Sequence, residues 1–494
     1  MLIPSFPSYR GPYDVGTTEY EIPVDALSSP APAPQSDIPL ATVQFRVFYP
    51  AEDEGDKSKP VYWVPGPQRE TASSFAEFLG LPKALSRILT ILPSTFQWIK
   101  IPAARDASVK PPLPQRRWPV LVFSHGIGGS RNMYSFLLAC LASHGLVVFA
   151  PEHRDGSSPV SFIRGPRGQS IRVPYKRISH NHDPHVFSQR HAQLRIRTWE
   201  MGLVYDSICR LDRGESLSNL AAADGKSLTS KGPDFKSLLD IHSPGSISWA
   251  GHSFGAATAI QFVKSVFWGR ESGAEDPYIS QYVPLYRPDR RSELVSQITP
   301  TSPLILLDLW NLPLLGDEAR WLWEKPLPCY TIGGPGVVNV AALLSDEFYQ
   351  WKAGLKATRF ALSRRPTITP TDDVENGPRF FYAMKSAHLS HSDVGVLFPW
   401  LMKRWRQVEE PERTMHLTIY AILHMLKECG ISVQLEKEEA NGVEDLLESG
   451  TTEICGPEIF GSNIFATDGS IRDWMHIPLS KDSKDTIINT PPKL

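Results

Sequence analysis

The 494-residue chain predicts an α/β fold, a mostly parallel central sheet flanked by helices and carrying surface insertions. Three observations predict it. Pro119-Val120-Leu121-Val122-Phe123 and Leu146-Val147-Val148-Phe149-Ala150 are short, continuous apolar runs, the pattern of strands buried on both faces. A glycine loop, Ser124-His125-Gly126-Ile127-Gly128-Gly129, and a helix-like stretch over 133–143 punctuated by Gly145 lie between them, forming a strand–helix–strand unit. Further on, Ser246-Ile247-Ser248-Trp249-Ala250 enters a second glycine turn followed by a helical stretch over 254–266.

The remaining elements follow in order. Residues 1–60 are proline-rich, with one strand over 43–49 in which Val43, Phe45, Val47 and Tyr49 alternate with Gln44, Arg46 and Phe48 until Pro50 ends it. Residues 74–92 predict one or two short helices broken at Pro82. The stretch 151–185 reads as irregular and basic, 187–212 as a helix and 213–240 as a polar connector. Residues 267–300 read as a surface insertion, with strands at 303–307, 327–332 and 379–384 and a helix at 411–429. The acidic run Glu436-Lys437-Glu438-Glu439 opens a linker and an irregular tail over 431–494.

Composition excludes several classes. The 51 basic and 53 acidic residues leave a net charge of −2, which argues against a nucleic-acid-binding surface. Proline is abundant at 44 residues, yet proline plus glycine is 78 of 494, about 16%, well below the roughly 25–30% of disordered chains. Cys140, Cys209, Cys329, Cys429 and Cys455 are odd in number and scattered, so neither a disulfide framework nor a zinc site is expected. His180, His182 and His185 read as solvated loop residues, and neither metal nor cofactor is expected. The first residues lack the basic and apolar regions of a signal peptide, so the expected location is cytoplasmic; Pro492-Lys493-Leu494, similar to a peroxisomal tail, offers the alternative address.

Gly251-His252-Ser253-Phe254-Gly255 fits the Gly-x-Ser-x-Gly pattern, between an apolar strand and a helix rich in small residues. That is the setting of a nucleophile elbow, in which a strained turn lifts the serine hydroxyl above the sheet. A serine nucleophile needs a histidine base oriented by a carboxylate, following in the order serine, acid, histidine in α/β hydrolases. Asp308 ends the buried run Leu304-Ile305-Leu306-Leu307, where active sites of open sheets lie, and is favoured over the loop residue Asp317. Two histidines sit on the loop after the strand at 379–384, His388 and His391, and His391 with Asp393 has the alternative role of capping the next helix. In the glycine loop, the backbone N–H of Ile127 pairs with that of Phe254 as the candidate oxyanion donors.

Taken together, these blocks resemble the platelet-activating factor acetylhydrolases of the plasma and intracellular type II kind, group VII phospholipases A2. The resemblance runs over roughly 8–430. It is carried by Gly11-Pro12-Tyr13-Asp14-Val15-Gly16, Phe48-Tyr49-Pro50, Phe123-Ser124-His125-Gly126-Ile127-Gly128 and Leu141-Ala142-Ser143-His144-Gly145. It continues in Glu152-His153-Arg154-Asp155, Gly251-His252-Ser253-Phe254-Gly255, Leu307-Asp308-Leu309-Trp310 and Ser386-Ala387-His388. The resemblance implies one α/β-hydrolase domain over 1–430, with Ser253 as nucleophile, Asp308 as acid, His388 rather than His391 as base, and Ile127 and Phe254 as the oxyanion hole. It implies calcium-independent hydrolysis of short or oxidised sn-2 acyl esters of phospholipids. A general carboxylesterase or lipase and a silent lipid-binding protein are the competing functions. The family has a second glycine where Ala256 stands, and relative to the family the chain has insertions near 267–300 and 335–378, which leave the acetyl preference open.

A phospholipid substrate in aggregates calls for contact with the lipid surface. Phe75, Phe78, Leu79, Leu81, Leu85, Ile88, Leu89, Ile91 and Leu92, with Lys83 and Arg87 interleaved, form one apolar–basic set within 75–92. A second set lies within 394–404, beside the base loop: Val396, Leu397, Phe398, Trp400, Leu401 and Met402, followed by Lys403 and Arg404. Core packing accounts for apolar helices equally well. The resemblance favours the interfacial role for the first set.

Overall fold

The computed structural model describes residues 3–52, 60–86, 95–166, 168–221, 232–269, 284–331, 334–335, 338–363, 378–406, 408–435 and 463–479. Nine strands form the main sheet: β1 Asp14–Pro23, β2 Thr42–Ala51, β3 Trp118–Ser124, β4 Val147–Glu152, β5 Ser248–His252, β6 Leu304–Leu307, β7 Val340–Ser345, β8 Arg379–Ala383 and β9 Trp474–His476. Their spatial order is β1-β2-β4-β3-β5-β6-β7-β8-β9, with short strands Ala104–Arg105 on β1 and Leu239–Asp240 on β3. The run from β4 through β8 is parallel, whereas β1–β2, β2–β4 and β8–β9 are antiparallel pairs. This order, with helices on both faces, is the α/β-hydrolase arrangement.

Both faces of the sheet are covered because alternate residues feed separate cores. Val120, Val122, Trp249, Leu304, Leu306 and Ala342 face one core, which includes α3 (Pro184–Asp212) and α4 (Phe254–Gly269). Leu121, Phe123, Ala250, Ile305, Leu307 and Leu343 face the other, which includes α2 (Ser135–Ser143) and α7 (Pro411–Glu428). Burial on both faces explains why the central strands read as continuous apolar runs. Other helices that matter for the site are α1 (Gln68–Phe78), α5 (Asp346–Gln350) and α6 (Pro399–Arg406).

The structure departs from the sequence expectations at several places. β1 lies where the sequence predicts no strand, ahead of the one expected over 43–49; its Glu19 and Glu21 are held by Arg46, Arg131, Arg154 and Arg164, so ion pairs disguise a largely buried strand. β2 runs through Pro50, past its last pairing with β4 at Phe48, where a missing N–H breaks no bond to that neighbour. Residues 151–185 are irregular only in part: Val160–Arg164 and Ser170–Pro174 form an antiparallel hairpin. The strand expected at 327–332 is instead a 3-10 turn, Pro328–Tyr330, preceded by Pro326.

Three departures concern the supposed insertions and tail. The segment 335–378 contributes β7, an inner strand whose apolar run Val340-Ala341-Ala342-Leu343-Leu344 is wholly buried; 364–377 lie outside the described residues. Within 267–300, Phe267, Trp268, Leu285, Tyr286, Leu294 and Ile298 belong to the core rather than to the surface, and 270–283 lie outside the described residues. Within 431–494, β9 pairs with β8 and the Trp474 ring stacks on Phe381 at 5.6 Å, so this part of the tail is sheet; 436–462 and 480–494 lie outside the described residues.

Candidate active site

The elbow forms where β5 passes directly into α4. Ser253 lies between them at φ +57°, in left-handed backbone that a non-glycine residue adopts only under constraint. Its N–H donates to Leu307 O at 2.8 Å and its carbonyl accepts from Trp310 N at 3.3 Å, which stitches the turn to the loop after β6. The flanking glycines follow from close approach. A Cβ on Gly251 would lie 2.2 Å from Gly255 O, and one on Gly255 would lie 1.9 Å from Ser124 O.

Asp308 is fully buried at the end of β6, at φ +44°. Its Oδ1 accepts from Ser345 N at 2.6 Å, and its Oδ2 accepts from Ser345 Oγ at 2.7 Å and lies 2.8 Å from His388 Nδ1. Burial would raise the carboxyl pKa, but the His252 and His388 imidazoles facing it outweigh burial and hold it well below the usual range. A carboxylate on Nδ1 fixes the proton there, which leaves Nε2 of His388 as the basic nitrogen.

His388 is held from three sides. Its backbone N–H donates to Glu347 Oε2 at 3.0 Å, its ring stacks on Phe348 at 4.5 Å between centroids, and the His252 ring lies 4.3 Å away. Ser345 ends β7 and caps α5, accepting from Phe348 N at 3.3 Å, so one strand end supports both Asp308 and, through Phe348, His388. No hydrogen bond joins Ser253 Oγ to His388 among the described residues; such contacts are commonly long in free enzymes and tighten around substrate.

The competing candidates lie elsewhere in the chemistry. Asp317 is exposed at the start of the helix Asp317–Glu324. His391 is fully buried, with Nδ1 3.3 Å from Thr418 Oγ1 and Nε2 3.9 Å from Asp308 Oδ1, too far for a hydrogen bond. Asp393 does not cap its own helix. It accepts from Ser135 N at 2.8 Å and Phe136 N at 2.9 Å, capping α2, and from Trp63 Nε1 at 2.8 Å. His180 is half-buried against Trp310, and burial lowers its pKa to about 4; His185 is exposed.

Ile127 follows Gly126, which lies against Ser253 and the His252 carbonyl, and Phe254 follows Ser253. Neighbouring amides are already used, Gly128 N–H by Ser157 O at 2.9 Å and Gly129 N–H by Gly126 O at 3.2 Å. Phe254 opens α4, so its N–H is one of the unsatisfied donors of a helix start. Gly126 N–H donates to Tyr134 Oη at 3.1 Å, and that hydroxyl in turn lies 2.8 Å from His252 Nδ1. Burial, with the nearby His388, lowers the His252 pKa to about 3, so this ring is neutral at ordinary pH. Sequence reasoning missed Tyr134, His252, Ser345, Glu347 and Phe348; of these, only His252 has a signal in the motif itself.

His252, Asp308 and His388 are also the one group of potential metal ligands among the described residues, with donor atoms within 4.8 Å of one another. One nitrogen of each ring is engaged, His388 Nδ1 with Asp308 and His252 Nδ1 with Tyr134.

Both apolar sets include exposed side chains. Leu79 is 81% exposed, Leu85 50% and Trp400 63%, and Phe96 and Trp98 are also exposed. The Phe96 ring, C-terminal to the first set, lies 5.5 Å from Phe398 of the second set. Lys83, Lys403 and Arg404 are exposed within these sets; 87–94, including Ile88, Leu89, Ile91 and Leu92, lie outside the described residues.

A family model described as platelet-activating factor acetylhydrolase, isoform II, matches residues 4–280, a segment that contains Ile127, Ser253 and Phe254. Among curated proteins, a platelet-activating factor acetylhydrolase of Cavia porcellus is 29% identical over 286 residues, 56% of this chain and 58% of that protein. A putative phospholipase A2 of Schizosaccharomyces pombe is 31% identical over 263 residues, 51% of this chain and 57% of that protein. The chain therefore spans less than three-fifths of the length of these curated relatives. A ferulic acid esterase from Streptomyces cinnamoneus superposes with a TM-score of 0.44 at 16% identity, over 86% of this chain and 93% of that one. With more than half of its length matched by the family model, the chain belongs to the platelet-activating factor acetylhydrolase, isoform II, family.

Proposed function

We propose that the chain is a calcium-independent serine esterase that cleaves short or oxidised sn-2 acyl groups from phospholipids, releasing the carboxylic acid and a lysophospholipid. The observation that carries this reading is the 2.8 Å contact between His388 Nδ1 and Asp308 Oδ2, beside a serine in a strained elbow. Family membership supports the ester chemistry, and the names of the relatives, acetylhydrolase and phospholipase A2, support the phospholipid substrate.

In the proposed reaction His388 Nε2 takes the Ser253 hydroxyl proton as Oγ attacks the ester carbonyl. The carbonyl oxygen becomes an oxyanion held by the Ile127 and Phe254 N–H groups, and Asp308 stabilises the imidazolium. Collapse breaks the bond to the glycerol oxygen, which takes the proton from His388. Water, deprotonated by the same nitrogen, then attacks the acyl-serine and frees Ser253. Within the apolar sets of 75–92 and 394–404, whose Val396, Leu397, Phe398 and Met402 are buried, the exposed Leu79, Leu85 and Trp400 are the proposed contact with the lipid surface.

The test combines labelling and turnover. A fluorophosphonate probe is expected to form its adduct on Ser253, and acetate release from a 2-acetyl phosphatidylcholine analogue should persist in EGTA and vanish in Ser253→Ala. An unlabelled Ser253, or turnover surviving in the alanine variant, overturns the proposal. Equal rates on simple p-nitrophenyl esters and sn-2 phospholipids would instead favour a general carboxylesterase.

A further inference from the structure

Behind the elbow, on the α3 side of the sheet, lies a fully buried guanidinium that the proposed reaction does not use. Arg197 donates from Nη1 to the carbonyl of His125 at 2.8 Å, from Nε to Asp155 Oδ2 at 2.7 Å and from Nη2 to Ser157 Oγ at 2.6 Å. Its central carbon lies 4.3 Å over the Phe254 ring, and Nη1 also approaches Thr258 Oγ1 on α4 at 3.4 Å. One group thus touches both chain segments that supply the candidate oxyanion amides. His125 lies two residues before Ile127, and Phe254 is the second donor itself.

The contacts around Arg197 fasten the glycine loop at further points. Ser157 donates from Oγ to Asp155 Oδ1 at 2.6 Å, while its carbonyl accepts from Gly128 N–H at 2.9 Å. His153 N–H donates to His125 Nε2 at 3.1 Å, and Gln193 on α3 donates to the Asp155 carbonyl at 3.1 Å. The loop is therefore gripped on both sides of Ile127, by Arg197 through His125 and by Ser157 through Gly128.

We infer that Arg197, anchored by Asp155 and Ser157, is a positioning residue that sets the spacing between the Ile127 and Phe254 N–H groups. The inference rests on the oxyanion assignment of the proposed function. A displacement well under 1 Å at a preorganised donor pair weakens stabilisation of the developing oxyanion while leaving ground-state binding nearly intact. Lysine keeps the charge but has no planar fork, and so cannot reach the His125 carbonyl, Asp155 and Ser157 together.

The experiment uses Arg197→Lys in the full chain, on a water-soluble acetate ester, with a trifluoromethyl ketone that adds to Ser253 and mimics the oxyanion. Arg154→Lys is the control: Arg154 is equally buried, pairs with Glu21 at 2.8 Å and touches neither oxyanion segment through its side chain. The expected result is a fall in kcat of about 10²-fold with a parallel loss of ketone affinity and KM within threefold, beyond any effect of the control. If kcat and ketone affinity fall no further than in the control, Arg197 is structural only and the inference is overturned. Should Arg197→Lys fail to fold, Ser157→Ala removes one anchor and no charge. It should lower kcat by about tenfold at constant KM, and an unchanged kcat overturns the inference. Fluorophosphonate labelling of the unaltered protein separates the two levels: absence of a Ser253 adduct rejects the serine mechanism, whereas an adduct with unaffected variants rejects only the role of Arg197.

Discussion

Ser253 and Asp308 occupy matching positions one step beyond the paired residues His252 and Leu307 of β5 and β6, and both turn into left-handed backbone, at φ +57° and +44°. Two adjacent parallel strands thus end in the same strained geometry, at a cost of order 1–3 kcal/mol each. The surrounding bonds over-determine it: Ser253 N–H is held by Leu307 O, and Asp308 N–H by Leu343 O at 3.0 Å. The consequence is that Ser253 and Asp308 leave the same C-terminal end of two central strands, with His388 arriving from the loop after β8.

Asp308→Asn should preserve shape and lose most of the turnover. An amide no longer fixes the proton on His388 Nδ1 or balances the imidazolium, so kcat should fall by about 10⁴-fold. Steady-state kinetics on a soluble ester, with circular dichroism to verify folding, measures it. A loss under tenfold would move the acid elsewhere, with Asp317 the residue to examine next.

Gly255→Ala tests the close approach of elbow and glycine loop. The added methyl would meet the backbone oxygen of Ser124 at 1.9 Å, and backbone does not yield as a flexible side chain does. Overpacking of this kind costs about 1–3 kcal/mol, read as a lower urea midpoint. The rate of fluorophosphonate labelling should fall with it, because Ser124 leads directly into the oxyanion loop. A variant as stable and as reactive as the parent would contradict the geometry.

How much of this was legible in the sequence depended on what buried each element. The β3, β5 and β6 strands and the elbow were readable because apolar runs and glycines announce them. β1 was not, because Glu19 and Glu21 occupy strand positions and become acceptable inside only through arginines contributed by distant elements. Misplacing β7 in an insertion had the larger effect on the site: it hid Ser345, Glu347 and Phe348, the residues that orient Asp308 and His388. No local periodicity encodes a contact such as Ser345 to Asp308, 37 residues apart. The same holds for Arg197, whose partners lie on three separate elements.

Glu200 provides a pH-dependent test of the interior behind the site. Ser124 Oγ lies 2.8 Å from His153 Nε2, and His153 Nδ1 lies 2.7 Å from Glu200 Oε2, all three residues being buried. Burial pushes the Glu200 carboxyl up to about 8 and the His153 imidazole well below its ordinary value, so both groups favour their neutral forms. A pKa raised in the folded state contributes stability that is fully present below the unfolded pKa, about 4.3, and is lost as pH rises through 8. Glu200→Gln should remove this slope, up to about 1.4 kcal/mol per pH unit across that window. Urea midpoints from pH 5 to 9 measure it. Parallel curves for the parent and the variant would show that Glu200 does not titrate in this range.

The exposed apolar side chains separate lipid contact from chemistry. Leu79 and Trp400 are among the most exposed of them, and neither is among the side chains that hold Asp308 or His388. Burying a large apolar side chain on transfer from water to lipid is worth about 1.5–3 kcal/mol, so partial insertion of each residue should contribute about 1–2 kcal/mol. Leu79→Ser and Trp400→Ala should each weaken partition onto phosphatidylcholine vesicles by roughly tenfold, since 1.4 kcal/mol corresponds to a factor of ten. Turnover of a water-soluble acetate ester should change by less than about twofold, because the proposed relay and oxyanion donors do not involve these side chains. Vesicle sedimentation alongside soluble-ester kinetics distinguishes the outcomes. Loss of soluble-ester activity would mean that the two residues support the fold around the base loop, and unchanged vesicle binding would mean that docking uses another face.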